Sequence, residues 1–263
     1  MNSSSKNSLS NDFSLSEELK QKLISLAQEY ESADFLLKDP SQFMHRYESL
    51  RDIETVAFIA ANLAFGRREQ ILRHIELILE ASGSSPSEWI LSEKYKSVFP
   101  ENNSSFYRMY TNTDMRLFFD GLRKLLDENE NLGEFFHKEW EKNHSGLYLH
   151  QIIASSFPLE CRLLPHSKDS AAKKVNMLLR WLVRDKSPVD LGLWKWFDKK
   201  ELLMPLDTHV MQEANELGLI CSKSANLRTA VQLTKKVAEV FPGDPVKADF
   251  ALFGLGIASQ EAR

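Results

Sequence analysis

The sequence predicts an all-α fold on three observations. Apolar residues recur at helical spacing through most of the 263 residues, and strand-like alternation is nearly absent. Clusters of serine, proline, asparagine and glycine separate the periodic runs. Residues 1–14, MNSSSKNSLSNDFS, are polar and serine-rich without an apolar segment. They are expected to form a disordered leader and not a secretory signal.

The first helix, ELKQKLISLAQEYES, is expected from about residue 18 to 31, capped near Ser14 or Ser16. The run DIETVAFIAANLAFGRREQILRHIELILEAS follows, with apolar positions pausing at Gly66 and resuming at Ile71. It predicts two helices, or one broken at Phe65-Gly66-Arg67. Turns are expected at 82–87 and 100–105, then helices over TDMRLFFDGLRKLLDEN and LGEFFHKEWEKN. SAAKKVNMLLRWLVRD is expected to be helical from about Ser170 to Asp185, with Pro188 beyond it. TAVQLTKKVAEVF and KADFALFGLGIAS supply the last two helices, the second reached through a Gly243-Asp244-Pro245 turn. The expected total is about nine to eleven helices.

Composition narrows the function classes. No run approaches the ~18 apolar residues of a membrane helix, so no membrane partner is expected. The cysteines are Cys161 and Cys221 alone. Two distant cysteines suit a reducing cytoplasm and exclude a cysteine-ligated iron–sulfur cluster or a four-cysteine zinc site. Asp207 and His209 form a D-x-H pair, with His74, His150 and His166 elsewhere. No H-x-x-x-H or one-sided carboxylate pair supports a metal, so neither metal nor cofactor is expected. Net charge is −4, but residues 161–200 carry ten Lys and Arg against four Asp. That local excess of +6 predicts either a solvated helix face or a basic surface for an anionic partner.

The candidate chemistry centres on Pro205-Leu206-Asp207-Thr208-His209, an acid between a proline turn and an amphipathic segment ending at Gly218. Asp207 is expected to cap that helix, its carboxylate accepting hydrogen bonds from the first free N–H groups. Those donors and the helix dipole would hold it ionised. A fixed carboxylate beside a cleft can also offset the positive charge that develops when an N-glycosidic bond breaks, and it can accept a proton from an amine nucleophile. The helix beginning near Ser170 offers the amine. Lys173, Arg180 and Arg184 fall at i, i+7 and i+11, on one face. The neighbouring cations Lys168, Lys174 and Arg162 could depress an amine pKa.

PLDTHVMQEANELGL resembles the corresponding segment of the helix-hairpin-helix (HhH-GPD) DNA glycosylase superfamily, and is nearest the archaeal 8-oxoguanine glycosylase (AGOG) branch. In that branch a lysine opens a helix, a basic residue lies seven further on, and a proline-rich turn leads to the acid. Here those positions are Lys173, Arg180, Pro205 and Asp207. This resemblance rests mainly on residues 165–219. A second resemblance covers most of 35–258, through DIETVAFIAANLAFGRR, NMLLRWLVR, VDLGLW, PLDTHV and DPVKADFALFGLG. It is to a bacterial family known as a domain of unknown function.

The glycosylase resemblance implies two helical lobes around a cleft: roughly 50–165, then 166–217 as a hairpin-like segment with the acid's helix, with 15–49 and 218–263 completing the other lobe. It implies that Lys173 attacks the anomeric carbon while Asp207 stabilises the cation, with Lys168 as runner-up nucleophile. Arg180, Arg184, Lys174, Arg67, Arg68 and Ser170 would contact nucleic acid, and Trp181, Trp194, Trp196 and Phe197 could stack a flipped base. The implied function is a DNA glycosylase, with or without lyase activity, acting on damaged or single-stranded DNA. The hairpin segment, LLPHSKDSAAKK, lacks the glycines by which backbone N–H groups approach a phosphate. That absence points to a non-catalytic nucleic-acid binder on the same frame. The overall acidity points to a third reading, a small-molecule nucleoside-processing enzyme.

Overall fold

The computed structural model describes residues 14–261, and side chains through residue 256. The disordered leader expected over 1–14 therefore falls, apart from Ser14, outside the described residues. The chain is mostly helical. Its α-helices are α1 (Glu17–Tyr30), α2 (Ala33–Leu36), α3 (Leu50–Leu63), α4 (Arg68–Ser82), α5 (Pro86–Leu91), α6 (Tyr95–Val98), α7 (Asn112–Asp127), α8 (Leu132–Asn143), α9 (Leu149–Ser155), α10 (Lys173–Val183), α11 (Thr208–Glu216), α12 (Leu227–Val237) and α13 (Ala248–Glu261). Short 3-10 helices occupy Pro40–Arg46, Lys199–Glu201 and Pro245–Lys247. The helices outnumber the expected set because α2, α5, α6 and α9 are one- or two-turn pieces, too short to show a 3.6-residue period. A small antiparallel hairpin, β1 (Ser105–Tyr107) with β2 (Tyr110–Thr111), stands where a turn was expected to run straight into α7. No helix among the described residues is long and apolar enough to cross a membrane.

The core is organised around α3. Every residue from Glu54 to Ala64 is buried, as expected of a helix apolar on nearly all sides. Its two buried acids cap other helices. Asp52 accepts from the Ser87 N–H at 2.8 Å and the Ser85 hydroxyl at 3.1 Å, at the start of α5. Glu54 accepts from the Leu132 and Gly133 N–H groups at 2.7 and 3.0 Å, at the start of α8, and from Trp194 Nε1 at 2.7 Å. Negative charge at a helix N-terminus is favourable. Burial nevertheless pushes the Glu54 carboxyl up to about 7, because no cation shares its pocket and its three donors only partly offset the lost water.

The two ends of the chain meet. Helix α13 packs against both α1 and α11. Close approach there needs glycine: a Cβ on Gly256 would stand 2.5 Å from His209 Cβ, and one on Gly254 would enter the Tyr30 ring.

The segment expected to form a glycosylase-type hairpin does not fold as two hairpin helices. Residues 156–172, between α9 and α10, are turns, with a single bridge pairing Ser170 with Asn226. Helix α10 starts at Lys173, later than the expected Ser170, because Ala172 adopts a left-handed conformation at φ 45°. Trp181 and Trp194 are core residues, while Trp196 stacks between the Trp194 and His137 rings at 5.6 and 4.8 Å. None of these tryptophans, nor Phe197, lines the cleft described next.

Candidate active-site cleft

The break between α3 and α4, the first turn of α10, the start of α11 and one face of α13 enclose a cleft of about 1120 Å³. Lys173 and Asp207, 34 positions apart, both line it. Asp207 is the N-cap of α11, its carboxylate accepting from the Val210 N–H at 2.8 Å. Pro205 and Leu206 before it are buried, so the acid is delivered on a fixed backbone.

Lys173 is half-buried at the first position of α10, and its Nζ donates to the Ala64 carbonyl at 3.1 Å. Ala64 closes the C-terminus of α3, an end whose unpaired carbonyls attract cations. Lys174 meets the same end more deeply. Its Nζ lies 2.6 Å from Leu163 O, 2.7 Å from the Tyr110 hydroxyl and 3.3 Å from Asn62 O. With no carboxylate among those partners, burial pushes the Lys174 amine down to about 7. Lys174 also lines the cleft, but its hydrogen-bonding capacity is spent on holding α3, α10 and the 161–164 turn together.

The other basic residues divide. Arg180 reaches the cleft but is buried, donating to Asp190 at 3.2 Å and to Asp249. Arg184 does not reach it. Its guanidinium bonds Asp244 at 2.8 Å, Glu31 at 2.9 Å and Asp190, over the face of Phe250. The expectation that Arg180 and Arg184 contact phosphate is corrected by this burial, because four interior carboxylates already occupy their donors. Lys168 and Ser170 lie outside the cleft lining. Lys168 is exposed, and the Ser170 hydroxyl accepts from the Ala172 N–H at 3.1 Å. Arg67 and Arg68 line the cleft at the α3–α4 break; Arg68 lies 5.7 Å from the Phe253 ring centre.

Sequence reasoning missed Asp249, Phe253, Phe35 and Lys223, all of which line the cleft. Asp249 is buried, and one of its oxygens is taken by Arg180. Burial, helped by the Asp207 charge, pushes its carboxyl up to about 6 against the pull of Arg180 and Lys173. Asp207 and Lys173 thus act on one and the same carboxyl. The available signal was the acid itself: Asp249 sits in the otherwise apolar run ADFALFGLGI, and a carboxylate on a buried helix needs a partner or a task.

Fold and cleft together define a helical protein in which three lysines (Lys173, Lys174 and Lys223) and three aspartates (Asp39, Asp207 and Asp249) line one solvent-open cavity. The chain belongs to the family described as "Protein of unknown function (DUF2400)", whose model matches residues 39–258. All the cleft residues discussed above lie within that span, except Phe35. No curated protein and no solved structure matches the chain.

Proposed function

We propose that the cleft is the base-processing site of a DNA glycosylase-like enzyme. The observation that carries this reading is the convergence of Lys173 and Asp207 on one cavity, with the Asp207 carboxylate fixed by its own helix. A volume of about 1120 Å³ accommodates an extruded nucleotide, since small-molecule pockets run to roughly 300–1,000 Å³. Phe35 and Phe253 offer apolar faces to a base, and Arg67, Arg68 and Lys223 offer cations to its phosphates. These features, with the resemblance over 165–219, support the reading.

In this mechanism Lys173 leaves the Ala64 carbonyl and gives its proton to Asp207. The free amine attacks the anomeric carbon, and the bond to the base breaks with its electron pair leaving on the base. A proton returns to the departing base. Opening of the sugar ring then leaves an imine joining Lys173 to the sugar, which borohydride reduces to a stable amine. Asp207 also offsets the oxocarbenium charge as the bond lengthens.

The test is borohydride trapping on duplexes carrying a panel of damaged bases. Wild type forms a covalent adduct that Lys173→Ala abolishes. Adduct formation that persists in Lys173→Ala would move the nucleophile elsewhere. A second reading, a non-catalytic binder, is favoured by the glycine-free turn at 166–172 and by the docking of Lys173 Nζ on Ala64. It predicts no adduct on any substrate, with DNA binding that falls steeply with salt. Absence of both adduct and binding leaves the small-molecule nucleoside reading.

A further inference from the structure

The seven histidines differ in what holds their rings. A ring nitrogen of His45, His74, His144 and His166 lies 2.7 to 3.3 Å from a backbone carbonyl. His137 pairs with Glu141 at 3.7 Å, and His150 is buried with its Nε2 unpartnered. Of the seven, His209 alone lines the cleft. Among the described residues no hydrogen bond or ion pair engages its ring.

His209 is half-buried in the first turn of α11, two positions past Asp207, and both side chains line the cavity. Helix α13 backs the ring. Its centre lies 6.1 Å from that of Phe253, edge to face. A Cβ on Gly256 would stand 2.9 Å from its Cγ and 3.0 Å from its Nδ1, so the glycine clears the space in which the imidazole sits.

The acids and the phenol of the cleft are already engaged. Asp39 accepts from the Ser41 N–H at 2.9 Å and from the Ser41 hydroxyl at 2.6 Å. Asp249 accepts from Arg180, and the Tyr110 hydroxyl bonds Lys174. Asp207 has the Lys173 proton to receive. A base leaving an N-glycosidic bond takes the electron pair and needs a proton of its own. An uncommitted imidazole is the side chain best suited to give one near neutral pH.

We infer that His209 is the general acid of this site, its imidazolium N–H giving its proton to the departing base as the bond to the sugar breaks. The electron pair of that bond stays on the base, and the imidazole regains a proton from water in the open cleft. Asp207 and His209 thus divide the proton traffic, one receiving from Lys173 and the other giving to the base. The inference rests on the reading of the cleft as a base-processing site.

It is tested with the full-length chain and His209→Gln, an uncharged side chain of similar reach, in single-turnover borohydride trapping at saturating protein. One duplex carries the damaged base that wild type traps fastest. The other carries a preformed abasic site, which offers Lys173 the same sugar carbon with no base to expel. His209→Gln is expected to trap the base-bearing duplex ~100-fold or more slowly, and the abasic duplex within about twofold of wild type. Equal slowing on both duplexes makes His209 a packing or binding residue, and no slowing on either makes it a bystander. Both results overturn the inference and leave Lys173 and Asp207 standing. Wild type that forms no adduct on any base-bearing duplex overturns the reading of the cleft and the inference with it.

Discussion

The two ends of α10 carry cations of opposite fate. At its C-terminal end Arg180 and Arg184 are buried among Asp190, Asp244, Asp249 and Glu31, and Lys247 joins at 3.3 Å from Glu31. At its N-terminal end Lys173 and Lys174 reach only neutral acceptors, the carbonyls closing α3, Leu163 O and the Tyr110 hydroxyl. A guanidinium among carboxylates is committed to the interior, since removing it strands buried charge. An amine resting on carbonyls stays exchangeable, because the carbonyls lose only a hydrogen bond when it leaves. Chemistry is therefore expected at the lysine end and structure at the arginine end.

The largest effect should come from the arginine end. Arg184→Ala is expected to cost ~3–5 kcal/mol, read as a lowered urea midpoint at unchanged m-value. Arg184→Lys should recover only part of this, because a compact ammonium lacks the planar fork by which Nε, Nη1 and Nη2 reach Asp244, Asp190 and Glu31 in different directions. A small loss would mean that water replaces the guanidinium and that the network is not structural.

Glu54 is the acidic counterpart of Lys174, a buried charge with neutral partners. Its carboxyl is raised from 4.5 to about 7 in the fold, so the folded state holds the proton more tightly than the unfolded chain. The resulting stability is fully present below about pH 4.5 and lost as pH rises through about 7, to the extent of ~3 kcal/mol at most. Urea midpoints measured across that window should decline more steeply for wild type than for Glu54→Gln. Parallel profiles would remove Glu54 as the cause.

Gly133 tests the same site sterically. A Cβ there would stand 2.5 Å from Trp194 Nε1 and 2.7 Å from Glu54 Oε1. Gly133→Ala is expected to cost ~1–3 kcal/mol through forced displacement of both, seen as a fall in Tm.

At the lysine end the effects on stability should be small and those on chemistry large. Lys173→Ala forfeits one hydrogen bond, ~1 kcal/mol, while abolishing any borohydride adduct. The smallest change in stability belongs to Asp207→Asn. Asparagine caps helices about as well as aspartate, whereas Asp207→Ala should cost ~1 kcal/mol. Both variants should lose adduct formation. An Asp207→Asn protein that traps at the wild-type rate would reduce Asp207 to a cap.

Much of the local structure was legible. Ser16 caps α1, as one of its two candidate serines. The chain does break between α3 and α4 around Gly66, which holds φ 104°, and α11 runs from the Asp207 cap to a left-handed Gly218. The hairpin and the short helices were not legible, because two or three residues per element show no period.

The sequence by itself determined the helical class, the cap at Asp207 and the placement of Lys173, Arg180 and Arg184 on one face of one helix, since these depend on spacing within a few turns. Only the tertiary structure decided which of those cations meets carboxylates and which meets only a carbonyl. The excess of +6 over residues 161–200 reads as a surface until Asp244, Asp249 and Glu31, some 60 to 150 positions away, are folded against it. Charge is a property of the residue, but its solvation belongs to whatever the chain packs beside it. For the same reason Asp249 became visible beside Lys173 and Asp207 only once α13 had closed the cleft.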